Sequence, residues 1–157
     1  MTRKMMPIAL ACAAIASPAS AHWQFTQWGM TPTQVIEASK GTASAGDGAK
    51  AARGDDTVGA VGTYVAGATT FTTKFWFGQQ GLSTVALQLR DYDKCVDVQR
   101  DLLAKYGEPV EKTGDADIQR RMWVDKAGGN RVALLNMSIG FCQVEYSALV
   151  SSTGAGL

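Results

Sequence analysis

The only histidine in the chain, His22, stands directly after Ala19-Ser20-Ala21, a spacing that a signal peptidase reads as a cut site. A chain cut after Ala21 begins with this residue. An N-terminal histidine can hold copper through its amine and its ring, but a full copper brace takes a second histidine, which the chain lacks. The same shortage removes Ser-His-Asp and Cys-His catalysis, both of which need a positioned imidazole base. It also removes zinc, which wants about four nitrogen or sulfur ligands. Asp91, Asp93 and Asp97 have the density of a calcium loop. Counted from Asp91, however, the turn glycine and the closing carboxylate of such a loop are replaced by Val96 and Leu102. These acids read better as helix caps. The glycine-rich GTASAGDGAK, residues 41–50, lacks the Gly-Lys-Ser/Thr ending of a phosphate loop. No metal, cofactor or catalytic set is expected, and the chain reads as a non-enzyme.

The compartment is legible at the N-terminus. Arg3 and Lys4 precede an uncharged apolar run from Met5 to Ala16, followed by the small residues that end at Ala21. The run is shorter than the roughly 20 residues that span a bilayer. Residues 1–21 are therefore expected to be a secretory signal peptide, cut after Ala21 or two residues earlier, with Cys12 as a lipidation alternative. Removing Arg3 and Lys4 takes the 15 basic and 14 acidic groups to 13 and 14. So balanced a charge gives no case for nucleic acid or an anionic membrane. Localisation is expected to be periplasmic or secreted. The two cysteines that remain, Cys95 and Cys142, are then most simply a disulfide, with about 4 kcal/mol of chain-entropy stabilisation for a loop of this length.

Several elements must position whatever the chain uses. Thr31 fits an N-cap, Pro32 the first helical position, and Gln34 the return partner of a capping box, with Met30 and Val35 as a hydrophobic staple. That helix should stop near Lys40-Gly41. Residues 41–56 read as a mobile loop. Strands are expected over 58–66, 68–77 and 82–90, the last two joined by a turn at Gly78-Gln79-Gln80-Gly81. A second helix is expected over 92–106, buried through Cys95, Val98, Leu102 and Tyr106 and stopped by Gly107 and Pro109. Strands near 118–125, 130–138 and 140–149 complete the chain. The order predicts a single α+β domain over 22–157. Its form would be a two-layer antiparallel sheet with two helices on one face, as two tandem αβββ units.

Gly29-Met30-Thr31-Pro32-Thr33-Gln34-Val35 resembles the helix start of the SmpA/OmlA family, to which BamE belongs. Phe75-Trp76-Phe77-Gly78-Gln79-Gln80-Gly81-Leu82 resembles the aromatic hairpin of those proteins. The β-lactamase-inhibitor proteins carry similar modules in tandem. The resemblance spans roughly residues 28–90 and implies a scaffolding or inhibitory module rather than an enzyme. It assigns no functional residue.

What remains is a surface. With Val61, Phe71, Phe75, Leu87, Met122 and Cys142 facing the helices, the opposite face would gather Tyr64, Lys74, Trp76, Arg90, Arg121 and Trp123, together with Phe141. Tryptophan and arginine are the residues that anchor protein interfaces. The expected function is an exported binding or envelope-assembly protein, with a protein or envelope component as partner. A small-ligand carrier, an enzyme using scattered carboxylates and a protein inhibitor of a secreted hydrolase are the alternatives.

Overall fold

The computed structural model describes residues 22–51 and 54–149. The expected leader, its cut after Ala21 and Cys12 lie outside them. The described residues begin with two short paired strands, β1 (His22–Trp23) and β2 (Thr26–Gln27). Helix α1 (Pro32–Ala38) starts where its caps dictate: Gln34 N–H donates to Thr31 Oγ1 (3.3 Å) and Thr31 N–H donates to Gln34 Oε1 (2.8 Å). It ends as Lys40 and Gly41 turn to φ 51° and 91°, the left-handed region that terminates helices. So short a helix has little stability alone, and it is held by Val35, which is fully buried in the core.

Four strands follow α1, not the expected three: β3 (Ala43–Ala45), β4 (Thr57–Ala66), β5 (Thr69–Gly78) and β6 (Gly81–Leu89). A 3-10 turn (Tyr92–Lys94) then leads into α2 (Cys95–Tyr106). Asp91 caps the turn by accepting from Asp93 N–H (3.1 Å), and Gly107 ends the helix at φ 76°. Four strands follow again: β7 (Glu111–Gly114), β8 (Ile118–Asp125), β9 (Asn130–Met137) and β10 (Phe141–Ala148). The eight strands form one antiparallel sheet in the order β3-β4-β5-β6-β10-β9-β8-β7. The fold is mixed α+β, mostly antiparallel sheet. The stretch 41–56 is not loop throughout, because Ala43–Ala45 pairs with Gly62–Ala60. No helix among the described residues is long and apolar enough to cross a membrane.

Register decides which side chains share the core. Phe71 lies opposite Leu89, Phe75 opposite Val85, Val144 opposite Leu87, and Trp123 opposite Val132. These residues pack with Val35 of α1 and with Cys95, Val98 and Leu102 of α2 in one cluster, so they define an inner face. Cys95 and Cys142 meet as the sequence led one to expect, in a disulfide with Cα atoms 6.0 Å apart, inside the usual range for such bridges. Trp23 adds a plug from the N-terminal strand pair. Its ring centroid lies 5.3 Å from that of Tyr64 and 6.0 Å from that of Phe75, both edge-on contacts of the favoured kind. The buried Asn130 ties the plug down, donating from Nδ2 to His22 O (3.0 Å) and accepting from Trp28 Nε1 (3.0 Å) at Oδ1. His22 is therefore anchored through its backbone in a paired strand.

Candidate binding surface

The outer face of the sheet is the one whose side chains alternate away from the helix-packed core. On β5 and β6 it carries Trp76 opposite Thr84, Lys74 opposite Ala86, and Thr72 opposite Gln88. Arg90, just past β6, lies across this face and donates from Nε to Thr72 Oγ1 (3.1 Å) and from Nη2 to Thr63 Oγ1 (2.9 Å). These two hydrogen bonds to threonine hydroxyls fix the guanidinium on this face. Lys74, Trp76 and Arg90 thus occur together, as the alternation of β5 and β6 implies.

Tyr64, Arg121 and Trp123 do not join them. Tyr64 pairs with Phe71 on the inner face, and Val61, expected inside, sits opposite Lys74 on the outer one. Trp123 is 1% exposed and donates from Nε1 to Gly107 O (2.8 Å), a core residue that steadies the end of α2. Arg121 is opposite Leu134 on the same inner side and reaches Gln119 Oε1 at 3.1 Å. Both strands were read one residue out of phase, which moves every side chain to the other face. In β4, glycines at 59 and 62 and a bulge between Val58 and Ala60 blur the alternation. In β8 the alternation itself misleads, because the more apolar set, Ile118, Met122 and Val124, points outward.

That inversion exposes a feature the sequence hid. Ile118 and Phe141 each lie opposite Met137, Met122 lies opposite Ala133, and Leu135 lies opposite Arg120 and Gln143. The outer face here therefore gathers Ile118, Met122, Leu135, Met137 and Phe141 in an apolar patch, with Arg120, Arg131, Gln143 and Glu145 set among and beside them. Ile118 is 48% exposed, and Ile139, in the β9–β10 turn, is 85% exposed. Arg120 and Glu145 approach each other within it at 4.0 Å. The signal that could have found the patch is the opposite phase choice for β8, which Trp123 alone would have favoured.

Other concavities lie elsewhere. One of about 320 Å³ lies between the Trp23–Phe25 segment and β4. Another, of about 610 Å³, lies beside the Gly78–Gly81 hairpin and includes Trp28 and Arg131. Among the described residues no group of three or more histidine, cysteine or acidic side chains is arranged to hold a metal ion. Comparisons with family models, with curated proteins and with solved structures give no match for this chain.

Proposed function

We propose that this is an exported, non-enzymatic protein that binds a protein or envelope component through the outer face of its sheet. In this reading the chain is a two-layer domain of two tandem units, each a helix followed by strands, with both helices on the inner side. The SmpA/OmlA-like helix start and aromatic hairpin fit such a scaffold. The disulfide fits an oxidising compartment, as does the leader expected over residues 1–21. The observation that carries the reading is the composition of the outer face. A held arginine, a lysine and a tryptophan lie on β5 and β6, and an apolar patch continues across β8 to β10. Charged and aromatic anchors beside apolar area are the make-up of a protein interface.

The test is quantitative capture from the native envelope with the exported chain as bait. Trp76→Ala and Arg90→Ala should each weaken retention of the captured partner by about 2 kcal/mol, the scale of an interface anchor. Val96→Ser, on the exposed side of α2, should leave it unchanged. Partner recovery that is the same with all three variants, in proteins shown by circular dichroism to be folded, would remove the outer face from consideration.

A further inference from the structure

A second site lies on the inner side, away from the outer face. The end of α2, the end of β8 and the N-terminal strand pair enclose a pocket of about 210 Å³ whose walls include Lys105, Tyr106, Asp125, Tyr64 and Tyr146. Lys105 and Asp125 bear opposite charges and face the same space. Yet no ion pair within 4.0 Å joins them, although five such pairs form elsewhere among the described residues. One Asp125 oxygen, Oδ1, accepts from Gly128 N–H (2.8 Å) in the β8–β9 turn; the second oxygen is left for another donor. The Lys105 ammonium lies 4.9 Å from the centroid of the Tyr106 ring.

The tyrosines complete the polar wall. The Tyr106 hydroxyl is buried without a hydrogen bond of good geometry, although the Lys105 ammonium and the Tyr146 hydroxyl are its neighbours. A buried hydroxyl without a partner is costly to fold around. Tyr64 OH accepts from Gln24 Nε2 (3.3 Å), which leaves its own proton free to donate. Burial pushes the Tyr146 phenol above the ordinary tyrosine range, so it stays protonated.

Tyr64, Lys105 and Tyr146 also line an adjoining cleft of about 190 Å³. Its remaining walls are chiefly Phe71, Leu87, Val98, Leu102 and Val144, all buried and apolar, joined by Thr69 and the exposed Asp101. A separated cation and anion, phenol donors and an apolar slot therefore meet at one place. A ligand that satisfies all of them carries its own carboxylate and its own ammonium, with an apolar group attached.

We propose that this pocket binds a free α-amino acid with an apolar side chain. Its carboxylate is held by the Lys105 ammonium and the Tyr106 hydroxyl, its ammonium by Asp125, and its side chain by the apolar cleft. The tyrosine rings add cation–π attraction for the ammonium. This site is independent of the outer face and stands if that surface binds nothing.

Calorimetric titration of the full exported chain with L-leucine tests it, beside 4-methylpentanoate, which lacks the ammonium, and isopentylamine, which lacks the carboxylate. Saturable leucine binding is expected, with each analogue weaker by about tenfold or more, the value of one lost polar contact. Lys105→Met should bring leucine down to the level of the amine. Asp125→Asn should make leucine and 4-methylpentanoate bind alike. Tyr106→Phe should weaken leucine severalfold while its melting temperature holds or rises, because it deletes an orphaned hydroxyl. Should Asp125→Asn fail to fold for want of its turn contact, the Lys105 and Tyr106 variants decide. Absence of saturable leucine binding up to about 10 mM, the weak end of specific affinity, would overturn the proposal. So would equal binding of leucine and 4-methylpentanoate to the unaltered chain, or leucine binding indifferent to Lys105→Met.

Discussion

The sheet joins two halves that solve the same problem differently. In the half that follows α1, the seven-residue helix packs chiefly on β3 and β4 and leaves Tyr64 and Phe75 to other partners. The N-terminal strand pair supplies one in Trp23, which packs on both rings, while Asn130 donates to His22 O beside it. The twelve-residue α2 lines a cleft with Phe71, Leu87 and Val144, and a disulfide fastens it to β10. The outer faces differ too. One is rich in threonine with a lysine and a held arginine, and the other mixes an apolar patch with charged side chains. A helix with enough apolar area needs only fastening, whereas a short one must borrow a core residue from elsewhere in the chain.

Removing the borrowed residue should have the largest effect. Trp23 is 7% exposed and touches Phe25, Tyr64, Phe75 and Tyr146. Trp23→Ala should cost about 3–5 kcal/mol, the range for a large aromatic truncated in a core. Chemical denaturation followed by far-ultraviolet circular dichroism measures it. A loss below about 1 kcal/mol, the ordinary effect of a point change, would mean that the plug is decoration and that the two halves are covered alike. Breaking the covalent tie should have the next effect. Cys95→Ser with Cys142→Ser releases a loop of 47 residues and should cost about 2–4 kcal/mol. Because the bridge acts largely through the unfolded chain, the folded double variant should keep the sheet. Its hydrogen exchange should quicken most in α2, with the α1 half changed less. Uniform quickening would show that the disulfide supports both halves.

How much of this was readable depended on the range of the interactions involved. Helix α1 was legible residue by residue, because Thr31, Pro32 and Gln34 settle its start through contacts one turn apart. The second helix and the six long strands were legible for the same reason, from caps, glycines and alternation. Cys95 and Cys142 could be paired because α2 and β10 each present them at the period of the buried face. The edge strands β3 and β7 were not legible. Ala43–Ala45 and Glu111–Gly114 carry almost no apolar alternation, and their pairing is made by the backbone alone. The phase of β8 was misread because Arg121 and Gln119 point inward beside the buried Trp123. The outer patch was lost with it. Lys74, Trp76 and Arg90 are legible together because β5 and β6 alternate unambiguously and Arg90 continues the alternation one residue past β6. The sequence allows the Trp23–Phe25 segment to cover the helix-free face, but Trp23 is buried on the inner one, among Tyr64, Phe75 and Tyr146, which lie far along the chain.

The smallest expected effect lies at the free edge of the α2 half and depends on pH. Between β7 and β8 the chain turns on Asp115, whose Oδ1 accepts from Asp117 N–H (2.9 Å) and Ile118 N–H (3.0 Å). The donors favour the charged carboxylate, Ile118 first, and hold Asp115 below its ordinary 3.8. A depressed carboxylate adds stability that is fully present above the unfolded value and is lost as pH falls through the folded one. The β7–β8 hairpin should therefore loosen on acidification below about pH 4, the range where an unperturbed aspartate protonates. Asp115→Asn keeps an acceptor oxygen but cannot titrate, so its melting temperature should fall less steeply with acid than that of the unaltered chain. The residue is exposed, which makes the difference small. It should be clearest in amide exchange at Gly114 to Gln119. If exchange there quickens with acid as much in Asp115→Asn as in the unaltered chain, the two donors add nothing to the hairpin. If only the unaltered chain responds, the β7 edge carries an acid sensitivity of its own.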